Sequence, residues 1–217
     1  MDKTETTIDA YDQNAVGYAD KFMRFKSYHE KISLFQQKYI PKGHCKILDM
    51  GCGPGNNAKI LYEKNSSYEV TGVDLSQEMI RLAKANAPAC RFVREDIRTI
   101  DFGSNAFDVI IASFCIVHLS DEEARNLLLR LARFLRPGGH LYLSFMEGKT
   151  PGFETTSFSE DEIWFNYFRP DAVKNILGTN AIETLEELES EYSEQDGSTT
   201  RDIFIFGRKK EEDRGHR

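Results

Sequence analysis

Short apolar runs alternate with longer amphipathic stripes along this chain. Residues 47–48 form an apolar run that ends in Asp49, and further candidate strands follow at 68–75, 91–97, 107–113 and 140–146. Short apolar runs bounded by turn residues read as buried strands. Between them, 56–64 and 76–86 carry helical spacing, as do Leu127, Leu128, Leu131, Ala132 and Leu135. Ser76 is a favourable N-cap for the second of these helices. Ser120 caps the third, with Asp121, Glu122 and Glu123 in the first turn, where the helix dipole favours acids. Pro137-Gly138-Gly139 ends it. Strands alternating with helices predict an α/β fold around a mostly parallel sheet.

The flanks read differently. Residues 1–8 look frayed, and 9–39 are mostly helical, closed by Pro41 and Gly43. Tyr11 and Tyr18 are seven apart, so a continuous helix puts both on one face. After the fifth strand, 147–158 is rich in Gly, Pro and Thr and reads as a mobile loop. Residues 159–168 are acidic and aromatic, and Pro170 opens a short helix that runs to 177. An acidic strand over 181–192, a turn at Asp196-Gly197 and an alternating strand over 200–207 predict an antiparallel hairpin. Residues 209–217 form a charged tail, expected to be disordered from 211.

The candidate chemistry begins at the end of the first strand. Gly51, Gly53 and Gly55 alternate there, followed by Asn56-Asn57-Ala58, which can cap and open a helix. Glycine in such a turn tolerates positive φ and lets a ligand lie against the backbone. A dinucleotide fingerprint would place a third glycine where Asn56 stands. Asp49, two residues before the glycines, would repel a pyrophosphate and suits a cationic ligand. Asp74 lies about twenty residues beyond the turn, where an acid accepts from ribose hydroxyls. In a doubly wound sheet the ligand crevice lies beyond the carboxyl ends of the strands. Asp49, Asp74, Asp96 and Ser113 all stand at such ends, so one crevice is expected to gather them.

The pattern D-x-G-x-G-x-G, with the strand ends and the Pro-Gly-Gly turn that follow in order, resembles class I S-adenosylmethionine-dependent methyltransferases of the small-molecule type. The resemblance covers roughly residues 45–146. It implies a Rossmann-like, seven-stranded, mostly parallel sheet with helices on both faces and an antiparallel C-terminal hairpin. It implies S-adenosylmethionine as cofactor, S-adenosylhomocysteine as product and methyl transfer to an unidentified small-molecule acceptor. Asp49, Gly51 and Gly53 would hold the methionine part, with Cys52 as a small filler and Asn56 opening the helix behind. Asp74 would meet the ribose, with Leu75 beside it as a further cofactor contact, Asp96 and Ile97 the adenine, and Met79 either the adenine or the core. Ser113 and Phe114 would border the site where the fourth strand ends.

Further roles keep two readings each. The segment around Tyr11 and Tyr18 resembles the family's N-terminal lid, spanning 1–43, and either tyrosine would then reach the cofactor or acceptor. The alternative is a helix packed on the sheet. His118 is the candidate general base, set against the preferred and plainer reading of a histidine that fixes its loop. Tyr18 is the second candidate catalytic residue. An insertion at 147–180 falls where the family carries substrate recognition. Trp164, Phe165, Tyr167 and Phe168 either box an apolar or cationic acceptor or, for most of them, anchor the insertion.

Bulk properties narrow the partners. The chain has 217 residues, 40% hydrophobic and 29% charged, with net charge −7. One domain over 1–210 is expected to bury a full core at that length. No basic face is visible, so a large nucleic-acid substrate is not expected. No apolar run approaches the ~20 residues that span a bilayer, and the N-terminus lacks a signal-peptide core. The cysteines at 45, 52, 90 and 115 show no C-x-x-C spacing, so neither a metal site nor a disulfide framework is expected. A cytoplasmic protein, monomer or homodimer, is the expectation. Two alternatives stay open: a cofactor-binding sensor without turnover, and an NAD-dependent oxidoreductase.

Overall fold

The computed structural model describes residues 2–193 and 199–211. The turn expected at Asp196-Gly197 and the tail at 212–217 lie outside them. Seven strands form one sheet in the order β3-β2-β1-β4-β5-β9-β8. β1 (Cys45–Met50), β2 (Tyr68–Asp74), β3 (Arg91–Arg94), β4 (Phe107–Ser113) and β5 (Leu135–Glu147) run parallel. β8 (Ile182–Ser193) and β9 (Thr199–Lys209) complete it as antiparallel strands. The chain leaves β1 on one side for β2 and returns on the other as β4, so the strand order reverses at β1. A crevice opens at such a point beyond the strands' carboxyl ends.

Covered faces explain the near-continuous apolar runs of the central strands. On one face Ile47, Val70, Val109 and Ile111 pack under α2 (Lys26–Tyr39), α3 (Asn56–Lys64) and α4 (Gln77–Asn86). On the other, Leu48, Ile110 and Leu141 meet α5 (Asp121–Phe134) and α6 (Pro170–Thr179). Each fully buried Leu or Phe contributes about 1.5–3 kcal/mol, and the six largest fully buried side chains, Tyr142, Phe35, Phe134, Phe145, Phe204 and Phe206, are all aromatic and lie in these two layers. Among the described residues no helix is long and apolar enough to cross a membrane.

Several expectations change. The N-terminus is helical from Lys3, because the Asp2 carboxylate caps α1 (Lys3–Phe22) through the N–H of Thr4. The third strand stops at Arg94, short of 97, and Asp96 lies in the turn beyond. Asn56 opens α3 without capping it: the cap position is Gly55, in the left-handed region at φ 82. The segment 147–158 is not merely a loop. β6 (Gly152–Thr156) pairs with β7 (Ser159–Phe165) as a separate antiparallel hairpin. Phe153, Thr155 and Thr156 on β6 and Ile163, Trp164 and Phe165 on β7 are residue types that favour strands, and the Gly and Pro punctuation concealed the pairing.

Candidate active site

The glycine turn between β1 and α3 is shaped by what its backbone touches. Gly51 sits at φ 68, and a Cβ there would come within 2.5 Å of Cβ of Cys115. Gly53 sits at φ 51, and a Cβ there would make only ordinary contact, with the Tyr18 ring 3.8 Å away. Its N–H donates to Oδ2 of Asp74 at 2.8 Å, while Oδ1 of Asp74 accepts from the N–H of Ser76 at 3.0 Å. Burial raises the Asp74 carboxyl, and these backbone donors work against that rise. Two lone pairs per oxygen leave the carboxylate able to accept further hydrogen bonds from the cavity side.

Asp49 stands behind the turn. It is fully buried and outside the cavity lining. Asn57 donates to its Oδ1 at 3.4 Å, while Oδ2 has no hydrogen-bond partner. Burial pushes its carboxyl up to about 7. Cys52 and Asn56 line a small recess of about 30 Å³ beside the turn instead of the main cavity.

The main cavity, about 210 Å³, brings together Tyr11, Tyr18, Gly51, Gly53, Asp74, Leu75, Met79, Asp96, Ile97, Ser113, Phe114 and His118. Met79 belongs both to the buried side of α4 and to this wall, so its two readings merge. Phe114 ends β4 at φ 52, a conformation uncommon for a side-chain-bearing residue. Ser144 holds it, accepting the Phe114 N–H through both its carbonyl and its hydroxyl oxygen at 3.1 Å.

α1 lies across the cavity. Asn14 breaks its helical dihedrals at φ −111, ψ 16, yet Tyr11 and Tyr18 still meet edge to face at 5.6 Å. Asp12 tethers the helix by accepting from the Ser76 hydroxyl and, at 3.0 Å, from the N–H of Glu78. Nδ1 of His118 faces the carbonyl of Trp164 at 2.9 Å, and Nε2 faces the Tyr11 hydroxyl at 3.0 Å. A carbonyl only accepts, so Nδ1 carries the proton and Nε2 accepts from Tyr11. Burial lowers His118 to about 4, so it is neutral at pH 7. Burial raises the Tyr11 and Tyr18 phenols, which stay protonated.

At the end nearest β2 and β3, Arg98 clamps the Asp96 carboxylate through Nε and Nη2. Its Nη1 donates to Thr4 at 2.9 Å and to Glu123 at 3.0 Å. Burial would raise Glu123, but Lys3, Ser120 and Arg98 bind it and hold it at about 2. Asp96 therefore keeps its charge, with both oxygens already engaged by Arg98.

The other half of the cavity lies past the β1/β4 reversal. Phe158, at the tip of the β6–β7 hairpin, stacks on Tyr11 at 5.8 Å and meets Tyr18 edge-on at 5.1 Å. Phe165 and Tyr167 face the cavity. Trp164 instead packs on Phe153, and Phe168 on Phe145 of the core. Sequence reasoning missed Tyr28, Arg98, Glu154, Phe158 and Asp202. Only Asp202 left a signal: strand alternation puts it on the inner face with Phe204 and Phe206, where a charge is out of place. No cluster of potential metal ligands occurs among the described residues.

A methyltransferase-domain family model matches residues 47–139. The trans-aconitate 2-methyltransferase of Delftia acidovorans is 33% identical over 105 residues, 48% of this chain and 38% of that protein. The chain thus spans well under half the length of the curated relatives it matches. A solved SAM-dependent methyltransferase from Methanosarcina mazei superposes with TM-score 0.69 at 22% identity, over 81% of this chain and 97% of that one. The Burkholderia thailandensis 1,6-didemethyltoxoflavin-N1-methyltransferase, solved with bound 1,6-didemethyltoxoflavin and S-adenosylhomocysteine, gives TM-score 0.68 at 18% identity over 96% of this chain and 87% of that one. The sheet order, the glycine turn and these matches agree: residues 47–139 match a methyltransferase-domain family, within a fold shared with solved S-adenosylmethionine-dependent methyltransferases.

Proposed function

We propose that the protein transfers the methyl group of S-adenosylmethionine to a small-molecule acceptor. The observation that carries this reading is the hydrogen bond from the Gly53 N–H to Asp74. A dinucleotide pyrophosphate needs such free N–H groups at the turn. Here the donor is given to a carboxylate, and Asp49 adds a second acid behind it. A ligand with ribose hydroxyls, an amino group and a sulfonium, and no phosphate, suits these charges. The Gly53 side of the turn leaves room for it against the backbone.

The cofactor brings an electrophilic methyl group on its sulfonium. Asp74 would accept from the ribose hydroxyls, and Leu75, Met79 and Ile97 would line the nucleoside end beside it. Asp96 marks the adenine edge, with Arg98 fixing it. Tyr11, Tyr18 and Phe158 close over the cavity and exclude water. Placing the acceptor in line with the methyl supplies much of the rate. His118, neutral with Nε2 accepting from the Tyr11 hydroxyl, would take a proton only from an acceptor that displaces that hydroxyl. Residues 1–43 act as the lid and 147–180 as the acceptor-side insertion of one domain over 1–210.

The family match ends at residue 139, before Glu154, Tyr167 and Asp202. Trans-aconitate, named for the Delftia relative, is therefore not carried over as the acceptor. The same reading places a monomer or homodimer in a reducing cytoplasm, where its four cysteines remain thiols. The test is production of S-adenosylhomocysteine from S-adenosylmethionine across a pool of small metabolites, with NADH titrated separately. Turnover supports the proposal. NADH binding without S-adenosylmethionine binding overturns it.

A further inference from the structure

α1 covers the cavity but owes little of its seating to apolar packing. Its buried residues are Thr7, Ala10 and Ala15, all small. Its large side chains Ile8, Tyr11, Tyr18 and Phe22 line the cavity instead. An alanine methyl removes far less apolar area from water than a buried Leu or Phe. Hydrogen bonds at its flanks therefore decide how firmly this helix is held.

Asp12 joins α1 to the cofactor end. Its Oδ1 accepts from the Ser76 hydroxyl and, at 3.0 Å, from the N–H of Glu78. Ser76 in turn gives its own N–H to Oδ1 of Asp74 at 3.0 Å, and its hydroxyl accepts from the N–H of Met79 at 3.1 Å. One carboxylate thus fastens α1 to the short segment that carries Asp74, Leu75 and Met79, three residues of the cavity wall. The bond to Glu78 also satisfies a free N–H in the first turn of α4, where an anion is favoured. On the opposite flank α1 is bonded to the β6–β7 hairpin. The Trp164 N–H donates to the Thr7 hydroxyl at 3.1 Å, and Asn14 donates to Asp161 at 2.8 Å. Beyond the break at Asn14, Tyr18 lies over the glycine turn, 3.8 Å from where a Cβ on Gly53 would stand.

We propose that Asp12 is a positioning residue: through its two hydrogen bonds it latches α1 over the cofactor, and the cofactor is taken up and released when that latch opens. This inference rests on the methyl-transfer reading for the identity of the ligand. The hairpin stays with α1 when the latch opens, because its bonds to Thr7 and Asn14 do not involve Asp12. Lids of this kind set the rate at which ligands come and go. A latch that holds the lid shut slows uptake and release together, whereas a group that only touches the ligand slows release alone.

The test uses tritium-labelled S-adenosylhomocysteine. Release is followed by a chase with excess unlabelled compound, and uptake by the time course of binding. In Asp12→Ala both rates are expected to rise about tenfold, with the dissociation constant moving less than about threefold. Alanine is a better helix former than aspartate, so that change reports a lost latch and not an unravelled α1. The amide oxygen of Asp12→Asn still accepts both bonds, so its rates should stay within about threefold of the parent's. Release unchanged in Asp12→Ala, faster release with uptake unchanged, or Asp12→Asn as fast as Asp12→Ala overturns the proposal. Absence of S-adenosylhomocysteine binding in the parent is a different result and overturns the methyl-transfer reading. The latch is then read without ligand, by amide hydrogen exchange. Exchange over α1 about tenfold faster in Asp12→Ala, with β1 and β4 as in the parent, supports it. Exchange over α1 as in the parent, or raised no more than in the sheet, overturns it.

Discussion

The Tyr11 hydroxyl lies 3.0 Å from Nε2 of His118, while Nδ1 of the same ring is held at 2.9 Å by the carbonyl of Trp164. This sandwich joins three segments: α1, the turn after β4 and the β6–β7 hairpin. It also fixes His118 as a neutral ring, lowered by burial to about 4.

That value predicts a pH effect. The folded pKa is depressed below the unfolded value of about 6.5. The unfolded chain therefore binds the extra proton between those values, and stability is lost as pH falls from about 6.5 toward 4. His118→Gln should remove that component, roughly 2–3 kcal/mol over the window. Urea unfolding of both proteins at pH 7.5 and 4.5 measures it. Identical losses in the two proteins would show that His118 is not buried neutral.

Asp49 works with the opposite sign. Its folded pKa, pushed up by burial to about 7, exceeds the unfolded value. Its contribution is intact below the unfolded pKa and is lost as pH rises through about 7. Asp49→Asn should therefore stabilise the ligand-free protein above pH 7 by on the order of 2–4 kcal/mol, and by little near pH 4. Thermal unfolding across that range is the check, and a variant less stable than the parent at pH 8 would contradict it.

Asp74→Ala should weaken S-adenosylhomocysteine binding by roughly 1.5–3 kcal/mol, since hydrogen bonds to a charged acceptor are removed. It also frees the N–H groups of Gly53 and Ser76, so some stability is lost with it. Calorimetric affinity unchanged from the parent would refute the ribose role.

Gly51→Ala and Gly53→Ala should separate stability from binding. Both positions are left-handed, which costs a side-chain-bearing residue about 1–2 kcal/mol. At Gly51 the new methyl also meets Cys115 at 2.5 Å, so that variant should lose more stability than Gly53→Ala. At Gly53 the methyl points into the space beside Tyr18, so the main loss should be cofactor affinity. Equal melting temperatures for the two variants would contradict the distinction.

The parallel half of the sheet and the cofactor end were legible in the sequence for a physical reason. Strands buried on both faces leave continuous apolar runs, and two of them end on residues that line the cavity, Asp74 and Ser113. Asp49 lies behind the glycine turn and outside the cavity lining, since spacing locates a residue along the chain without telling which way its side chain turns. The acceptor half was hardly legible. Glu154 lies in a hairpin hidden by Gly and Pro, and Phe158 reaches Tyr11 only through that hairpin's fold. Arg98 looks like any surface arginine until Asp96, Glu123 and Thr4 converge on it.

The most direct measurement is isothermal titration of the protein with S-adenosylmethionine and with S-adenosylhomocysteine. The account predicts micromolar binding of both, with the demethylated product at least as tight, and the loss described above in Asp74→Ala. No binding of either compound, with the protein shown to be folded, would contradict it.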